Sequence, residues 1–329
     1  MSLLAALLSL STCLGNSVLG AFLGSWLSIR FWDPLLKRPA HTPDTGGLTL
    51  KDLNQLRLKK LFLAVERVQF ESIAITGGAN LRIGVYDLPL RADEQIEGDD
   101  YDHQIFFKPS CNVLDTVNSM TKYTIGHSDQ LWYGNEPHDA CSNVTAYFAS
   151  LNRKRGRGSS ALAHLSGWKM SAIRDDQLDP DTLWGKYWPY AQLNDAVGLQ
   201  SFGYCWTRVG DGRSHIVFTM CHDLVPEEDV LYRRELLAIL GFMLTRMKSP
   251  YFEDHHVVPV MVISCFKSHR ARILQAHLTK SDLIIGKSPL YDFSSPQSRE
   301  ENLPLLLGYM ASELVGTTRL EEGSPSLLL

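Results

Sequence analysis

The sequence predicts an α+β fold in which a mixed, largely antiparallel sheet packs on a central helix, with an additional N-terminal apolar helix. The first observation behind this class is the helical spacing of apolar residues over Glu227–Met247. The second is that strand-like runs stand on both sides of that helix, in the order hairpin, helix, strand, hairpin. Strands grouped in this way favour an α+β class over a regular alternation of parallel strands and helices.

The central helix is predicted from its two ends and from its apolar stripe. Pro226 suits the first helical position, and the acidic residues 227–229 complement the positive end of the helix dipole. Arg246 and Lys248 place positive charge at the other end, and Ser249-Pro250 stops the helix. Its apolar residues extend beyond one face, so we expect burial on more than one side; they are Tyr232, Leu236, Leu237, Leu240, Met243, Leu244 and Met247.

The predicted strands are runs rich in β-branched and aromatic residues. Gly210-Asp211-Gly212 and Thr279-Lys280-Ser281 join neighbouring runs and indicate two hairpins. Pro259 lacks a backbone donor, so it belongs at a strand start, at a bulge or on an edge. The runs are Leu81–Tyr86, Gln104–Lys108, Ser201–Val209, Arg213–Cys221, Val257–Cys265, Ala271–Ala276 and Asp282–Lys287.

Two further helices are predicted near the ends of the folded region. Thr49 and Asp52 have the spacing of a capping box that opens a helix to about Gln69. Its apolar stripe is formed by Leu58, Leu61, Phe62, Val65 and Val68. A last helix starts at Ser295-Pro296, is kinked or begins its regular part at Pro304, and ends at Gly316.

Composition and local signals divide the chain into five segments. Pro34, Pro39, Pro43 and Gly46-Gly47 indicate a linker before the first capped helix. A basic, glycine-containing run ending near residue 158 separates an N-terminal part of the α+β domain from its C-terminal unit. The predicted segments are an apolar segment at 1–29, the linker at 30–48, the two parts of the domain at 49–158 and 159–316, and a flexible tail at 317–329.

The apolar segment predicts a single membrane span. Residues 1–29 carry no charged side chain, and Arg30, Lys37 and Arg38 follow them, so lipid is an expected partner through residues 3–29. A cleaved signal peptide, leading to secretion, and a buried helix of a cytoplasmic protein are the alternatives. Asn143-Val144-Thr145 matches a glycosylation sequon, which would place Asn143 in a lumen.

Overall composition argues against several classes of protein. The formal net charge of −4 gives no electrostatic reason to expect a specific nucleic-acid partner. The six cysteines form no C-x-x-C pair, so a disulfide framework or a structural zinc site is not expected. The chain also lacks a Walker loop, G-x-G-x-x-G, G-x-S-x-G and H-E-x-x-H, and we therefore expect no cofactor.

Two weak constellations remain as candidate sites. Cys221-His222-Asp223 at a strand end is a catalytic candidate, with His277 as a possible further member. Neighbouring residues on a strand point to opposite faces, so a buried cysteine and an aspartate that caps the next helix are the alternative. Metal candidates are Glu253, His255 and His256, which would need a further ligand such as His277 or His222; the alternative is a polar loop.

The last third of the chain resembles an uncharacterised protein family of filamentous fungi. The resemblance lies in Pro259-Val260, Ser264, His269-x-x-Arg-Ile-Leu-Gln-Ala-His277 and Ser288-x-Leu-Tyr-x-Phe293. It implies no reaction, but some members of that family are encoded beside secondary-metabolite genes. This neighbourhood associates the family with such pathways and gives no mechanism.

The order helix, strand, hairpin is also similar to that of PD-(D/E)xK nucleases. In those enzymes an acid and an E-x-K pair on adjacent strands hold a metal ion that activates water. Here Gln275-Ala276-His277 stands at the comparable point, and the run Val257–Cys265 carries no acid. A related fold would thus have lost its metal site.

Two classes of function are expected from these features. The first is a non-enzymatic accessory or binding protein, which the lack of any strong catalytic motif favours. The second is an enzyme whose groups gather near Cys221, His222, His255 and His256, or a catalytically inactive nuclease-like fold. Convergence of three such side chains in an open pocket would favour the enzyme.

Overall fold

A computed structural model describes residues 49–68, 72–74, 81–90, 106–109, 144, 148, 166–170, 203–208 and 212–319. The predicted membrane segment, the linker and Asn143 lie outside these residues. Among these residues, the helices with described bounds are α1 (Leu50–Glu66), α2 (Arg233–Lys248) and α3 (Pro296–Met310). The strands are β1 (Ser72–Ala74), β2 (Ile83–Asp87), β3 (Phe107–Lys108), β4 (Trp168–Met170), β5 (Gly203–Arg208), β6 (Ile216–His222), β7 (Val230–Tyr232), β8 (Val260–Phe266), β9 (Arg270–Leu278), β10 (Leu283–Lys287), β11 (Tyr291–Asp292) and β12 (Glu313–Leu314).

The main sheet is mixed and largely antiparallel, which confirms the predicted α+β class. Its strand order is β2-β10-β9-β8-β6-β5-β4, and β11 adds to one end of β9. Only the pairs β10–β2 and β6–β8 are parallel, whereas the remaining pairs in this sheet are antiparallel. Two short ribbons, β1–β7 and β3–β12, lie outside the main sheet.

Helices cover both faces of this sheet and create two apolar cores. Along β8, Val262 belongs to the core that contains residues of α1 and α2, and its neighbour Ile263 belongs to the core that contains residues of α3. Alternate side chains of a strand point to opposite faces, so every central strand contributes to both cores. The helix predicted to be central is α2, and it is buried around most of its circumference.

Helix α2 begins six residues later than predicted. Residues 230–232 form β7 and pair with β1, and the helix starts at Arg233 with Tyr232 at its N-cap. The acidic residues 227–229 therefore precede the helix instead of forming its first turn. Glu228 instead accepts a hydrogen bond from the backbone N–H of Leu290, at 3.1 Å. A strand partner and this loop contact thus outweigh the local preference for a helix start.

The other predicted elements agree with the structure in position, with small differences at their ends. The Thr49–Asp52 capping box opens α1, although the helix ends at Glu66 and not at Gln69. Both predicted hairpins form, as β5–β6 and β9–β10. Pro259 immediately precedes β8, which is one of the three predicted positions for it.

The last helix also forms where predicted but ends early. Ser295 caps α3, and Pro304 lies within the helix. The helix ends at Met310, because β12 follows and pairs with β3. Gly316 has a φ of 73° and occupies a turn beyond β12, so it does not end the helix. Among the described helices, none combines the length and apolar character that a bilayer span requires.

Replacing Leu240 by Asp should abolish soluble expression of the folded protein. Leu240 is fully buried in α2, and an unpaired charge at this position would cost several kcal/mol, roughly the stability of a whole domain. The matched control is Val225→Asp, because the Val225 side chain is 66% exposed. A soluble Leu240→Asp variant with a native circular dichroism spectrum would contradict this placement of α2.

Candidate functional site

Polar side chains form a row across one end of the sheet face that packs on α1 and α2. This polar row consists of Asp87, Lys287, Arg272, Ser264 and His222, from the adjacent strands β2, β10, β9, β8 and β6. Alternation along each strand places all five on the face that is otherwise apolar. The pairs Asp87–Lys287 and Arg272–Ser264 are direct neighbours in register.

The centre of the polar row is a fully buried ion pair between β9 and α2. Arg272 Nε donates to Glu235 Oε1 at 3.0 Å, and Arg272 Nη2 contacts Glu235 Oε2 in the same bidentate arrangement. Arg272 Nη1 donates to the carbonyl of Val230 at 2.9 Å, and the N–H of Tyr232 donates to Glu235 Oε2 at 2.9 Å. Burial opposes ionisation of Glu235, but the guanidinium outweighs burial and holds the pKa of Glu235 below its ordinary value.

His222 lies fully buried beside this ion pair. Its ring stacks on Phe266 with centroids 4.7 Å apart, and neither ring nitrogen has a hydrogen-bond partner among the described residues. Burial lowers the pKa of His222 to about 3; Glu235 opposes this effect, and Arg272 adds to it. The ring is therefore neutral at physiological pH.

The other end of the polar row opens towards the surface. Lys287 is buried, and its Nζ lies 4.0 Å from Oε2 of Glu228, whose side chain is about half exposed. Asp87 is exposed on the neighbouring strand. The row therefore runs from a neutral buried histidine through a paired arginine to a charged rim.

The catalytic candidates are placed on different faces of the sheet. Cys221 faces the core under α3, and His222 faces the core under α2. His277 also lies on the α3 side, 5.0 Å from the ring of Phe106. The structure therefore does not bring these three side chains together.

Asp223 does not have the capping role predicted as an alternative. It forms a salt bridge with Lys267, and nine residues lie between it and the first residue of α2. The added length is taken up by β7 and the loop before it, which move the helix start away from Asp223.

His255 links three segments of the backbone. Its Nε2 lies 2.8 Å from the carbonyl of Gly212, and its Nδ1 lies 2.6 Å from Oγ1 of Thr318. Both ring nitrogens are thus engaged within the protein. The described residues contain no group of three His, Cys, Asp or Glu side chains that could hold a metal ion, so Glu253, His255 and His256 are not assembled into the predicted site.

An open depression with a volume of about 730 Å³ lies between the start of α1 and the end of α2. Lys51 crosses it, because Nζ donates to the carbonyls of Phe252 at 2.7 Å and Glu253 at 3.1 Å. The side chains of Glu253 and Asp254 line the depression. Its other lining residues are Thr49, Leu50, Asp52, Gln55, Met247, Lys248, Ser249, Pro250, His255 and His256.

The structure also shows which residues occupy the positions that the sequence analysis compared with the metal site of PD-(D/E)xK nucleases. The helix, strand, hairpin order is present as α2, β8, β9 and β10, but both carboxylate oxygens of Glu235 are engaged by protein donors. Gln275 projects to the opposite face, where its amide approaches the carbonyl of Phe107 at 3.4 Å. A guanidinium thus neutralises the buried acid of this face. The sequence analysis did not predict the ion pair between Arg272 and Glu235. The feature that could have indicated it is an arginine inside an otherwise apolar strand.

Replacing Arg272 by Met should destabilise the protein by about 3–5 kcal/mol, because the variant would leave Glu235 charged and buried. The double variant Arg272→Met/Glu235→Gln should be more stable than the single variant, since a neutral amide can still accept from Tyr232. Urea unfolding would measure both. A double variant less stable than Arg272→Met would contradict the assignment of the cost to an unpaired charge.

Stability should fall as the pH is lowered from 7 to 5. Burial lowers the pKa of both His222 and His215 to about 3, below the ordinary value of 6.5, so the unfolded chain takes up protons first. The contribution of the neutral histidines to the free energy of unfolding is therefore fully present above pH 6.5 and is lost as the pH falls towards 3. Between pH 7 and pH 5 the expected loss is about 2 kcal/mol per histidine. His222→Gln should reduce this slope in urea titrations, whereas an unchanged slope would exclude His222 as a source.

Comparison with known proteins leaves the site without a counterpart. No protein-family model matches the chain, and neither the curated proteins nor the solved structures contain a significant match.

Proposed function

We propose that the protein is a binding protein rather than an enzyme, and that it takes a cationic group in the depression between α1 and α2. The observation that carries this proposal is the position of the Glu253 and Asp254 carboxylates. Both line the depression, and neither forms a hydrogen bond or a salt bridge with another described side chain. An ammonium or guanidinium group would find two charge-assisted acceptors there.

The other charged residues around the depression have partners within the protein. Lys51 is committed to two backbone carbonyls, and Asp52 caps α1 through Thr49. The lining carries two cations, Lys51 and Lys248, against the three anions Asp52, Glu253 and Asp254, so a ligand meets a net charge of −1. A volume of about 730 Å³ is also within the range of ordinary ligand sites.

Neutral polar groups and an aromatic side chain complete the surroundings of a ligand. His256 lines the depression, and its Nδ1 is buried without a hydrogen-bond partner among the described residues. Burial also lowers the pKa of His256, so its neutral ring does not repel a cation at physiological pH. Tyr251 follows the lining residue Pro250 in the chain, and its side chain is 79% exposed.

The separation of the catalytic candidates supports binding over catalysis. Cys221 and His222 face different cores, and His255 is engaged on both ring nitrogens. Nucleophilic catalysis needs a nucleophile and a base within hydrogen-bond reach. Membrane attachment through residues 3–29 and an accessory role in a secondary-metabolite pathway stay predictions from the sequence.

The full chain in non-ionic detergent should bind a hexalysine peptide at low ionic strength, as measured by isothermal titration calorimetry. Glu253→Gln/Asp254→Asn should weaken binding by about tenfold, because two exposed ion pairs of this kind together contribute about 1.4 kcal/mol. Spermidine, titrated in parallel, distinguishes a free polyamine from a basic peptide segment as the source of the cationic group.

The matched control is Asp229→Asn/Glu300→Gln, which removes the same charge from exposed positions away from the depression. It should retain the affinity of the unmodified chain. Equal weakening by the control variant, or equal binding of a hexalysine peptide with acetylated side chains, would refute a specific cation site.

A further inference from the structure

The outward face of α1 is basic although the chain as a whole is acidic. Residues 50–67 carry the basic side chains of Lys51, Arg57, Lys59, Lys60 and Arg67 and only two acidic ones, against a net charge of −4 for the chain. None of the salt bridges among the described residues involves Lys59, Lys60 or Arg67. Five basic and two acidic side chains give residues 50–67 a formal net charge of +3.

Leucines are interleaved with these basic residues. Leu56, Lys60, Leu63 and Arg67 follow one another at spacings of four, three and four residues, which places them on one stripe of the helix. Leu56 is 47% exposed and Leu63 is partly exposed. The buried stripe, with Leu58, Phe62 and Val65, lies on the opposite side and packs into the core. Leu56 is therefore the leucine of this stripe that presents substantial apolar surface, and the exposed charges of Lys60 and Arg67 lie on the same stripe.

We propose that this basic face, formed by Leu56, Arg57, Lys59, Lys60, Leu63 and Arg67, lies on an anionic lipid surface. Lysines and arginines near the headgroups are attracted to acidic lipids, and leucines between them enter the boundary with the acyl chains. A nucleic acid would match the charge but offers no apolar layer for the exposed side chain of Leu56. Lipid is therefore the occupant that both halves of the face fit.

The composition of the chain before the described residues supports the same occupant. This N-terminal segment ends at residue 48, and α1 begins two residues later. Residues 1–29 carry no charged side chain, and Arg30, Lys37 and Arg38 follow them. A segment of that composition that entered a bilayer would deliver α1 to the same membrane surface. The contact of α1 with lipid is nevertheless separate from insertion of that segment and from the proposed cation site.

A fluorophore that responds to polarity, attached at Leu56→Cys, tests the proposal in the full chain. With phosphatidylcholine vesicles containing phosphatidylserine, its emission should shift to the blue, and added salt should reverse the shift. Vesicles of phosphatidylcholine alone should give no such shift, even where flotation shows that the chain is attached to them. Val225→Cys is the matched probe position, since this side chain is 66% exposed and lies outside the basic face. Labelled unmodified chain supplies the background of the native cysteines.

Charge variants make the test specific to α1. Lys59→Gln/Lys60→Gln should raise the lipid concentration at half-maximal shift at least about tenfold, because each basic group near an acidic surface contributes about 1 kcal/mol before screening. Lys267→Gln/Arg270→Gln removes the same charge from the turn after β8 and from the start of β9, and it should leave that concentration unchanged. Equal shifts at positions 56 and 225, no shift at position 56, or a response to duplex DNA instead of vesicles would each overturn the proposal.

Discussion

The ion pair between Arg272 and Glu235 determines how the elements of the α2 side fit together. Arg272 comes from the middle of the sheet, Glu235 from the first turn of α2, and the carbonyl of Val230 from β7. Taking two charges out of water is costly, so the pair is tolerated because the guanidinium and the carboxylate satisfy one another and nearby backbone groups. A helix start one turn earlier would lose this match. The pair therefore selects one register of α2 on the sheet.

The two ends of α2 have different chemical roles as a consequence. At its N-terminal end, polar groups are buried, paired and held away from water, and they serve the fold. At its C-terminal end, Lys51 ties α1 to the segment after α2 and leaves Glu253 and Asp254 beside an open depression. Ligand binding at that end would not require any change in the buried pair. Stability and binding can thus be altered by separate substitutions.

The sequence predicted those features that depend on local spacing and on turn chemistry. The Thr49–Asp52 capping box and both hairpins form because neighbouring residues decide them. The start of α2 could not be obtained in this way, since β7 pairs with β1 more than 150 residues away in the chain. The same limit applies to Glu235 and Arg272, which are 37 residues apart. Local patterns identify a charged residue in an apolar run but do not identify its partner.

The histidines show how strand geometry limits what a sequence motif can mean. Cys221-His222 looked like a nucleophile beside a base, but alternation sends the two side chains into different cores. His255 and His256 are adjacent as well and both line the depression, yet His255 is bonded to Gly212 and Thr318 whereas His256 Nδ1 has no hydrogen-bond partner among the described residues. In α1 the buried apolar stripe alone is enough to predict the helix. The sequence pattern therefore gives no reason to consider the leucines on the opposite side. Both proposals therefore rest on residues left over after the core is assigned: two carboxylates at the depression, and a leucine and lysine face on α1.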